Sequence, residues 1–381
     1  MKILYLITQS ELGGAQRYIF DLAKNLNSSN IILVASGGEN DKEWLAKKLS
    51  QENIEYLHLK NLKREISPLN DLKSLFEIRS LIKDFKPDLI HLNSTKISIL
   101  GSIAPKLLLK KSKIVYTAHG WVFNEDLNTI KKNFYKILER YTAFLKNKIL
   151  TVSEFDKKTA LQLGIKKEKL KTIYNGIKSP QLKTREDARS TLSKHLNIKI
   201  KSDDFLIGSI GNLYKNKGFG YLLNSIKQVL SENYNLKLVI IGEGEKREQL
   251  MRIIKEEKLE KNVFLSGKID NASALLSAFD IYVNSSIKEG LSYTILEAMQ
   301  AKIPIIVTNA GGNPEMIEDG INGFVAEKKD IDDIANKIIN LLQNKNKADI
   351  FALNSQEKLK QFSLDLMVGK TFNIYKSLTQ K

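Results

Sequence analysis

The feature that most constrains this chain is a regular alternation of short apolar stretches with segments of helical period, which runs through most of its 381 residues. Strands are read at 2–7, 30–36, 54–59, 88–92, 113–118, 148–152 and 170–174, with amphipathic segments between them. Parallel neighbours need long crossovers, so this order predicts a parallel α/β sheet covered by helices on both faces. From 177 to 203 the rhythm lapses into a polar, Lys-rich stretch with Pro180 and a predicted helix at 185–196, which reads as a linker. It restarts at 205–210, 236–241, 263–266, 281–284, 303–307 and 324–325. The expectation is two doubly wound domains, at 1–180 and 203–362, and a closing helix within 363–381 that has no strand to cross to and packs back on the first domain. Open sheets of this kind bind ligands beyond the carboxyl ends of their strands. Two of them can face each other across a cleft, so chemistry is sought just after each strand.

The length exceeds what one hydrophobic core usually supports, which agrees with two domains. The absence of Cys excludes a disulfide framework, a thiolate nucleophile and a Cys-ligated metal, and fits a reducing compartment. The apolar start is stopped by Gln9, Ser10 and Glu11, far short of the ~18 residues a membrane span needs. No later segment is long enough, and no cleavage site follows a basic start, so the protein is expected to stay in the cytoplasm. A net charge of +17 calls for an anionic partner. Lys greatly outnumbers Arg, the residue that reads phosphates and bases bidentately, so part of the excess is general surface composition and nucleic acid is not the expected partner.

Several turns carry residues with two readings. Gly13-Gly14-Ala15 follows the first strand and opens a helix near Gln16; it is either turn geometry or a close backbone approach to an anion at a helix start. His119-Gly120 ends the fifth strand, as a packed loop histidine or as a donor or acceptor aimed at a ligand. His58, His91 and His195 read as ordinary packed residues, and no His pair stands at i, i+4, so zinc is not expected. Gly211-Asn212-Leu213-Tyr214-Lys215-Asn216-Lys217-Gly218 lacks the spacing of a P-loop but sets Lys215 and Lys217 at the mouth of the second sheet. Gly242-Glu243-Gly244 matches only half of a dinucleotide fingerprint. In Lys288-Glu289-Gly290-Leu291-Ser292, Gly290 marks a strand-to-helix turn, and Glu297 lies about two turns along the helix. Glu289 then meets a ligand hydroxyl and Glu297 a ribose diol, or both are dipole-favoured and surface residues. Asp330-Ile331-Asp332 reads as a helix cap rather than a metal motif.

Taken together, Gly13-Gly14-Ala15, Lys86-Pro87-Asp88, Thr117 to Gly120, Val152-Ser153-Glu154, Tyr174-Asn175-Gly176-Ile177, Lys217-Gly218, Glu289…Glu297 and Gly311-Gly312 resemble the large retaining glycosyltransferase family numbered four, with its E-x7-E signature. The resemblance implies the GT-B fold of two Rossmann-like domains. By it, Gly13, Gly14, Gly290, Leu291 and Ser292 approach the donor diphosphate, Lys217 pairs with the phosphates, Glu297 with the ribose, and Glu289 and His119 with the transferred sugar. The family commonly has Arg where this chain has Asn212, and Lys215 or Arg17 is the candidate replacement. No cofactor or metal is implied beyond a nucleotide-sugar donor, a UDP-sugar by default, and the acceptor is a glycan or a lipid-linked hydroxyl. A GT-B nucleotide-sugar epimerase and a non-catalytic sugar-nucleotide or membrane-surface binder are the rival readings.

One helical segment adds a further partner. Between 131 and 148, Phe134, Ile137, Leu138, Tyr141, Phe144 and Leu145 form an apolar stripe, set against Lys131, Lys132, Lys136, Arg140, Lys146 and the single acid Glu139. Four more Lys lie between 106 and 113. Either the stripe faces the sheet and the cations are merely solvated, or Lys131, Lys132, Lys136 and Arg140 hold the protein by charge at an anionic membrane, peripheral on the inner face of the plasma membrane.

Overall fold

The computed structural model describes residues 1–38, 43–108, 112–179, 181–232 and 234–380; Pro180, and Lys110 and Lys111 among the four Lys between 106 and 113, lie outside them. The first sheet is built from β1 (Lys2–Ile7), β2 (Ile31–Ser36), β3 (Glu55–His58), β4 (Leu89–Leu92), β5 (Lys113–Ala118), β6 (Lys148–Thr151) and β7 (Leu170–Thr172), in the order β3-β2-β1-β4-β5-β6-β7. The second contains β8 (Phe205–Ile210), β9 (Leu236–Ile241), β10 (Val263–Gly267), β11 (Ile281–Asn284), β12 (Ile305–Thr308) and β13 (Phe324–Ala326), ordered β10-β9-β8-β11-β12-β13. Every pairing between these strands is parallel. Strand edges differ from the sequence reading by one or two residues, the usual uncertainty where a ladder frays.

Contacts divide the chain into one compact unit made of Met1–Asn175 with the residues from Leu364 onward, and a second unit of Gly176–Ser363. In the first, alternation sends Leu4 and Leu6 to one face of β1, and Ile3, Tyr5 and Ile7 to the other. Both faces are buried, which is why the strands read as continuous apolar runs. One face is covered by the helices Pro68–Phe85, Thr95–Ile103 and Thr129–Thr142, the other by Gly14–Leu26, Trp44–Gln51 and Leu364–Thr379. The last of these buries Met367 and Tyr375 against Ile3, Tyr5 and Leu89. In the second unit, Ile207, Leu238 and Ile240 pack under the helices Phe219–Ser231 and Ile331–Gln343.

The stretch read as a linker is folded into the second unit. Its helix Arg185–Leu196 buries Ala188 and Leu192, and Arg189 lies against Asp280 at 2.9 Å while donating to the carbonyls of Ala278, Lys201, Ser202 and Asp204. Polar composition hid this because one buried guanidinium satisfies so many carbonyls at once.

The helix Thr129–Thr142 corrects the sequence reading more sharply. Its inward face carries Glu139, whose carboxylate pairs with Lys146 at 3.2 Å, both side chains fully buried. Ser98 donates to Glu139 at 3.1 Å, and Lys146 donates to the Thr142 hydroxyl at 2.9 Å. Neither Glu139 nor Lys146 therefore belongs to the solvated charged face, and the apolar stripe points away from the sheet.

Candidate functional site

In an open parallel sheet the loops after two neighbouring strands diverge where the strand order reverses, and a crevice opens there. In the second unit that point lies between β8 and β11. The loop after β8 forms a short turn, Lys215–Lys217, ended by Gly218 at φ +66°. A Cβ at Gly218 would overlap the Ser285 carbonyl, so glycine is required twice, by conformation and by contact. That contact lets Ser285 donate to the Lys217 carbonyl at 3.0 Å and Ile287 N–H to the Asn216 carbonyl at 2.8 Å. The loops after β8 and β11 are thereby stitched together.

Held in this way, the half-buried Lys217 Nζ donates to Glu289 Oε1 at 2.6 Å, and Ser286 Oγ donates to the same oxygen at 2.7 Å. Behind them is a buried amide and hydroxyl cluster. Asn313 Nδ2 donates to Asn284 Oδ1 at 3.3 Å and to the Thr308 carbonyl at 3.2 Å, and Thr308 donates to the Ser286 carbonyl. Gly311, at φ +57°, passes so near the Glu289 carbonyl that a Cβ would overlap it, and Gly312 N–H donates to the Gly290 carbonyl at 2.9 Å. Glu289 is thus fixed from three sides. Gly290, Leu291 and Ser292 are buried and lead into the helix Tyr293–Gln300, whose N-terminus has no side-chain cap. Glu297 is buried on that helix, not on the surface. Burial pushes the Tyr282 phenol up, and the negative charges of Glu297 and Glu289 add to the effect.

Asn212 and Lys215 are exposed on the same loop, and Arg17 pairs with Asp21 at 3.8 Å within the first unit. Asp330 accepts from Asp333 N–H at 3.0 Å and caps the helix Ile331–Gln343. Among the described residues no group of three or more His, Asp or Glu is arranged to hold a metal ion.

In the first unit the switch point lies between β1 and β4. The helix there begins at Gly14, two residues earlier than the sequence reading, with Gly13 extended at its cap; Gln16 Nε2 donates to the Gln9 carbonyl at 2.9 Å. His119 follows β5. Asn93 donates its amide to the His91 carbonyl at 3.1 Å, which turns its Oδ1 to His119 Nε2 at 3.3 Å, so that Nε2 carries the proton and Nδ1 is left as the acceptor. The ring stands edge-on to Tyr18 at 4.8 Å, and burial holds it down to about 3, so it is neutral throughout the physiological range. His91, read as an ordinary core residue, is fully buried and satisfied by Tyr375 and by Thr117 at 2.7 Å. Asn93, Asn284, Ser286 and Asn313 were not found from sequence; for the first three the signal is a polar residue at the end of, or within two residues after, an otherwise apolar strand, whereas Asn313 opens the short helix Asn313–Met316 and has no such signal.

The profile described as Glycosyltransferase Family 4 matches residues 12–179, and that described as Glycosyl transferases group 1 matches residues 193–358. The UDP-Gal:alpha-D-GlcNAc-diphosphoundecaprenol alpha-1,3-galactosyltransferase of Escherichia coli is 28% identical over 384 residues, covering 98% of this chain and 96% of the relative. An uncharacterized glycosyltransferase of Methanocaldococcus jannaschii is 30% identical over 287 residues, 72% of this chain and 68% of its own length. The crystal structure of Anabaena HepE in complex with UDP and glucose superposes with a TM-score of 0.83 at 23% identity, over 99% of this chain and 100% of that one. Two doubly wound parallel sheets in one chain, matched over its length in this way, are the GT-B fold.

Proposed function

The chain belongs to the glycosyltransferases that join a Glycosyltransferase Family 4 domain to a Glycosyl transferases group 1 domain, and from that premise we propose that it moves a sugar, with retention and without a metal, from a UDP-sugar to a hydroxyl of a lipid-linked or glycan acceptor. The observation that carries this reading is the ammonium of Lys217 held against Glu289 at the mouth of β8 and β11, beside an uncapped helix that buries Glu297. A cation and a helix N-terminus are what a departing diphosphate requires. As the bond from the anomeric carbon to the phosphate oxygen breaks, the electron pair leaves on the diphosphate and Lys217 stabilises it. The acceptor oxygen bonds to the same face of the carbon, and its proton passes to a phosphate oxygen. Glu297 accepts from the ribose hydroxyls, Glu289 from the sugar, and His119 offers a neutral Nδ1 to a sugar hydroxyl.

The substrates in the name of the Escherichia coli relative and the UDP in the Anabaena structure support the choice of donor, and the diphosphoundecaprenol in the former supports a lipid-linked acceptor. Attachment to the inner leaflet through the exposed Lys131, Lys136 and Arg140 belongs to the same reading, without Lys132, which is half-buried on the inward face of its helix. Calorimetric titration with UDP-, GDP- and ADP-sugars, followed by NMR of the hydrolysed or transferred sugar, tests it. Binding of a UDP-sugar and release of the sugar with its original anomeric configuration are expected. Inversion, or no binding of any nucleotide-sugar, overturns the proposal.

A further inference from the structure

A helix on the surface of a soluble domain turns its apolar stripe to the sheet and its charges to water. Thr129–Thr142 does the reverse. Residues 132, 135, 139 and 142 recur on the inward face, where the buried Glu139 joins Lys146. Ile130, Phe134, Ile137 and Tyr141, at i, i+4, i+7 and i+11, lie on the opposite face and are 82%, 49%, 54% and 68% exposed; Phe144 in the next turn is 70% exposed. The stripe is rimmed by exposed Lys131, Lys136 and Arg140, and the helix's only acid is the buried one. Beside it lies a groove of about 410 Å³ lined by the buried Phe123, the exposed Phe155, Lys136 and Lys158, with Lys136 Nζ 6.0 Å from the centre of the Phe123 ring.

We infer that this helix inserts Ile130, Phe134, Ile137, Tyr141 and Phe144 into the outer acyl region of an anionic bilayer leaflet, with Lys131, Lys136 and Arg140 at the level of the phosphates. A narrow apolar stripe between cations matches the layering of a leaflet, hydrocarbon below and negative charge above. A second copy of this chain fits worse, because a two-fold pairing of the stripes brings the two cationic rims together. No helix among the described residues is long and apolar enough to cross a membrane, so the contact is one of surface insertion. The inference deepens the proposed action on a lipid-linked acceptor and rests on it for its biological sense, but its geometry stands alone. It also changes the nature of the attachment, since charge alone releases completely in salt whereas inserted apolar area does not.

The test uses the full chain with phosphatidylcholine vesicles, with and without phosphatidylglycerol. The wild type is expected to sediment with the anionic vesicles and to retain part of its binding in high salt. In Phe134→Trp, emission above that of the two native tryptophans is expected to shift to the blue on binding and to be quenched by lipids brominated on the acyl chain. Replacing Ile130, Phe134, Ile137 and Tyr141 together by Ser is expected to lower vesicle affinity on the order of tenfold or more while leaving UDP-sugar hydrolysis unchanged. Full salt release, absence of quenching in Phe134→Trp, or undiminished binding by the Ser variant overturns the inference, as does a wild-type dimer that the Ser variant splits. Vesicle binding without UDP-sugar binding counts against the proposed function alone, and UDP-sugar turnover without vesicle binding against the insertion alone.

Discussion

At the scale of single residues, Lys217 and Glu289 form an ion pair in which each charge sits half-buried or deeper and is neutralised by the other, and the proposed function places donor chemistry there. Under that proposal a donor phosphate would exchange one anion for another at Lys217, while Ser286, which donates to Glu289, keeps the carboxylate in place. Lys217→Ala is therefore expected to weaken UDP-sugar binding by about 1.5–3 kcal/mol, the range for a hydrogen bond to a charged group, in calorimetry. Glu289→Gln keeps the shape and the Ser286 contact but loses the charge, and is expected to lower kcat by about a hundredfold or more with little change in affinity. Equal, wild-type values for both variants would misplace the site. His119 supplies a second residue-scale prediction. Its folded pKa, about 3, is below the unfolded value of about 6.5, so the unfolded chain takes up the proton first and stability falls as pH drops below 6.5. His91 is shifted in the same direction by burial. His119→Gln is expected to flatten the loss of stability toward acid, by at most about 2 kcal/mol at pH 5 relative to pH 7, measured by urea unfolding at the two pH values. In the wild type, transfer activity is expected to show no inflection from His119 between pH 6 and 8.

At the scale of elements, the loops of the second domain owe their form to glycines whose neighbours are backbone carbonyls. Gly218 and Gly311 lie in the left-handed region, and at each a side chain would meet a carbonyl that no rotamer change can remove. Gly218→Ala and Gly311→Ala are each expected to lower Tm and to abolish donor binding, by displacing the Lys217 turn and the Glu289 loop respectively; circular dichroism with calorimetry separates the two effects. The helix Thr129–Thr142 carries a different kind of cost. Removing one partner of its buried pair strands a charge, so Lys146→Met is expected to destabilise the first domain by about 3–5 kcal/mol, whereas Glu139→Leu combined with Lys146→Met restores much of that loss. Failure of the double variant to recover stability would point to the Ser98 and Thr142 hydrogen bonds, not the ion pair, as the source of the cost.

At the scale of the whole molecule, the last helix shares a core with the first strand. Deleting residues 364–381 exposes Tyr5 and Ile3 and leaves His91 without Tyr375, so it is expected to unfold or loosen the first domain while the second still binds a UDP-sugar. Intact near-ultraviolet dichroism of the first domain after that deletion would show the helix to be dispensable. Activity is expected to survive EDTA, and loss reversed by Mg²⁺ or Mn²⁺ would overturn the metal-independent part of the proposal. The sequence by itself determined where the strands fall along the chain and that they form two doubly wound sheets, because buried parallel strands must be apolar on both faces and that pattern needs no partner to be read. It also determined the turns where Lys217, Glu289 and His119 occur, since a strand followed by a glycine or a polar break marks its own end. Only the tertiary structure decided which of those residues meet. Lys217 and Glu289 are 72 residues apart and Asn93 and His119 are 26 apart, and such contacts depend on which strands become neighbours at each switch point. It decided as well that Glu297 is buried and that the stripe from Ile130 to Tyr141 faces outward. Periodicity shows that a helix has two unlike faces, but only packing against the sheet selects the one that is hidden, and here a buried ion pair, invisible in a hydropathy pattern, made that selection.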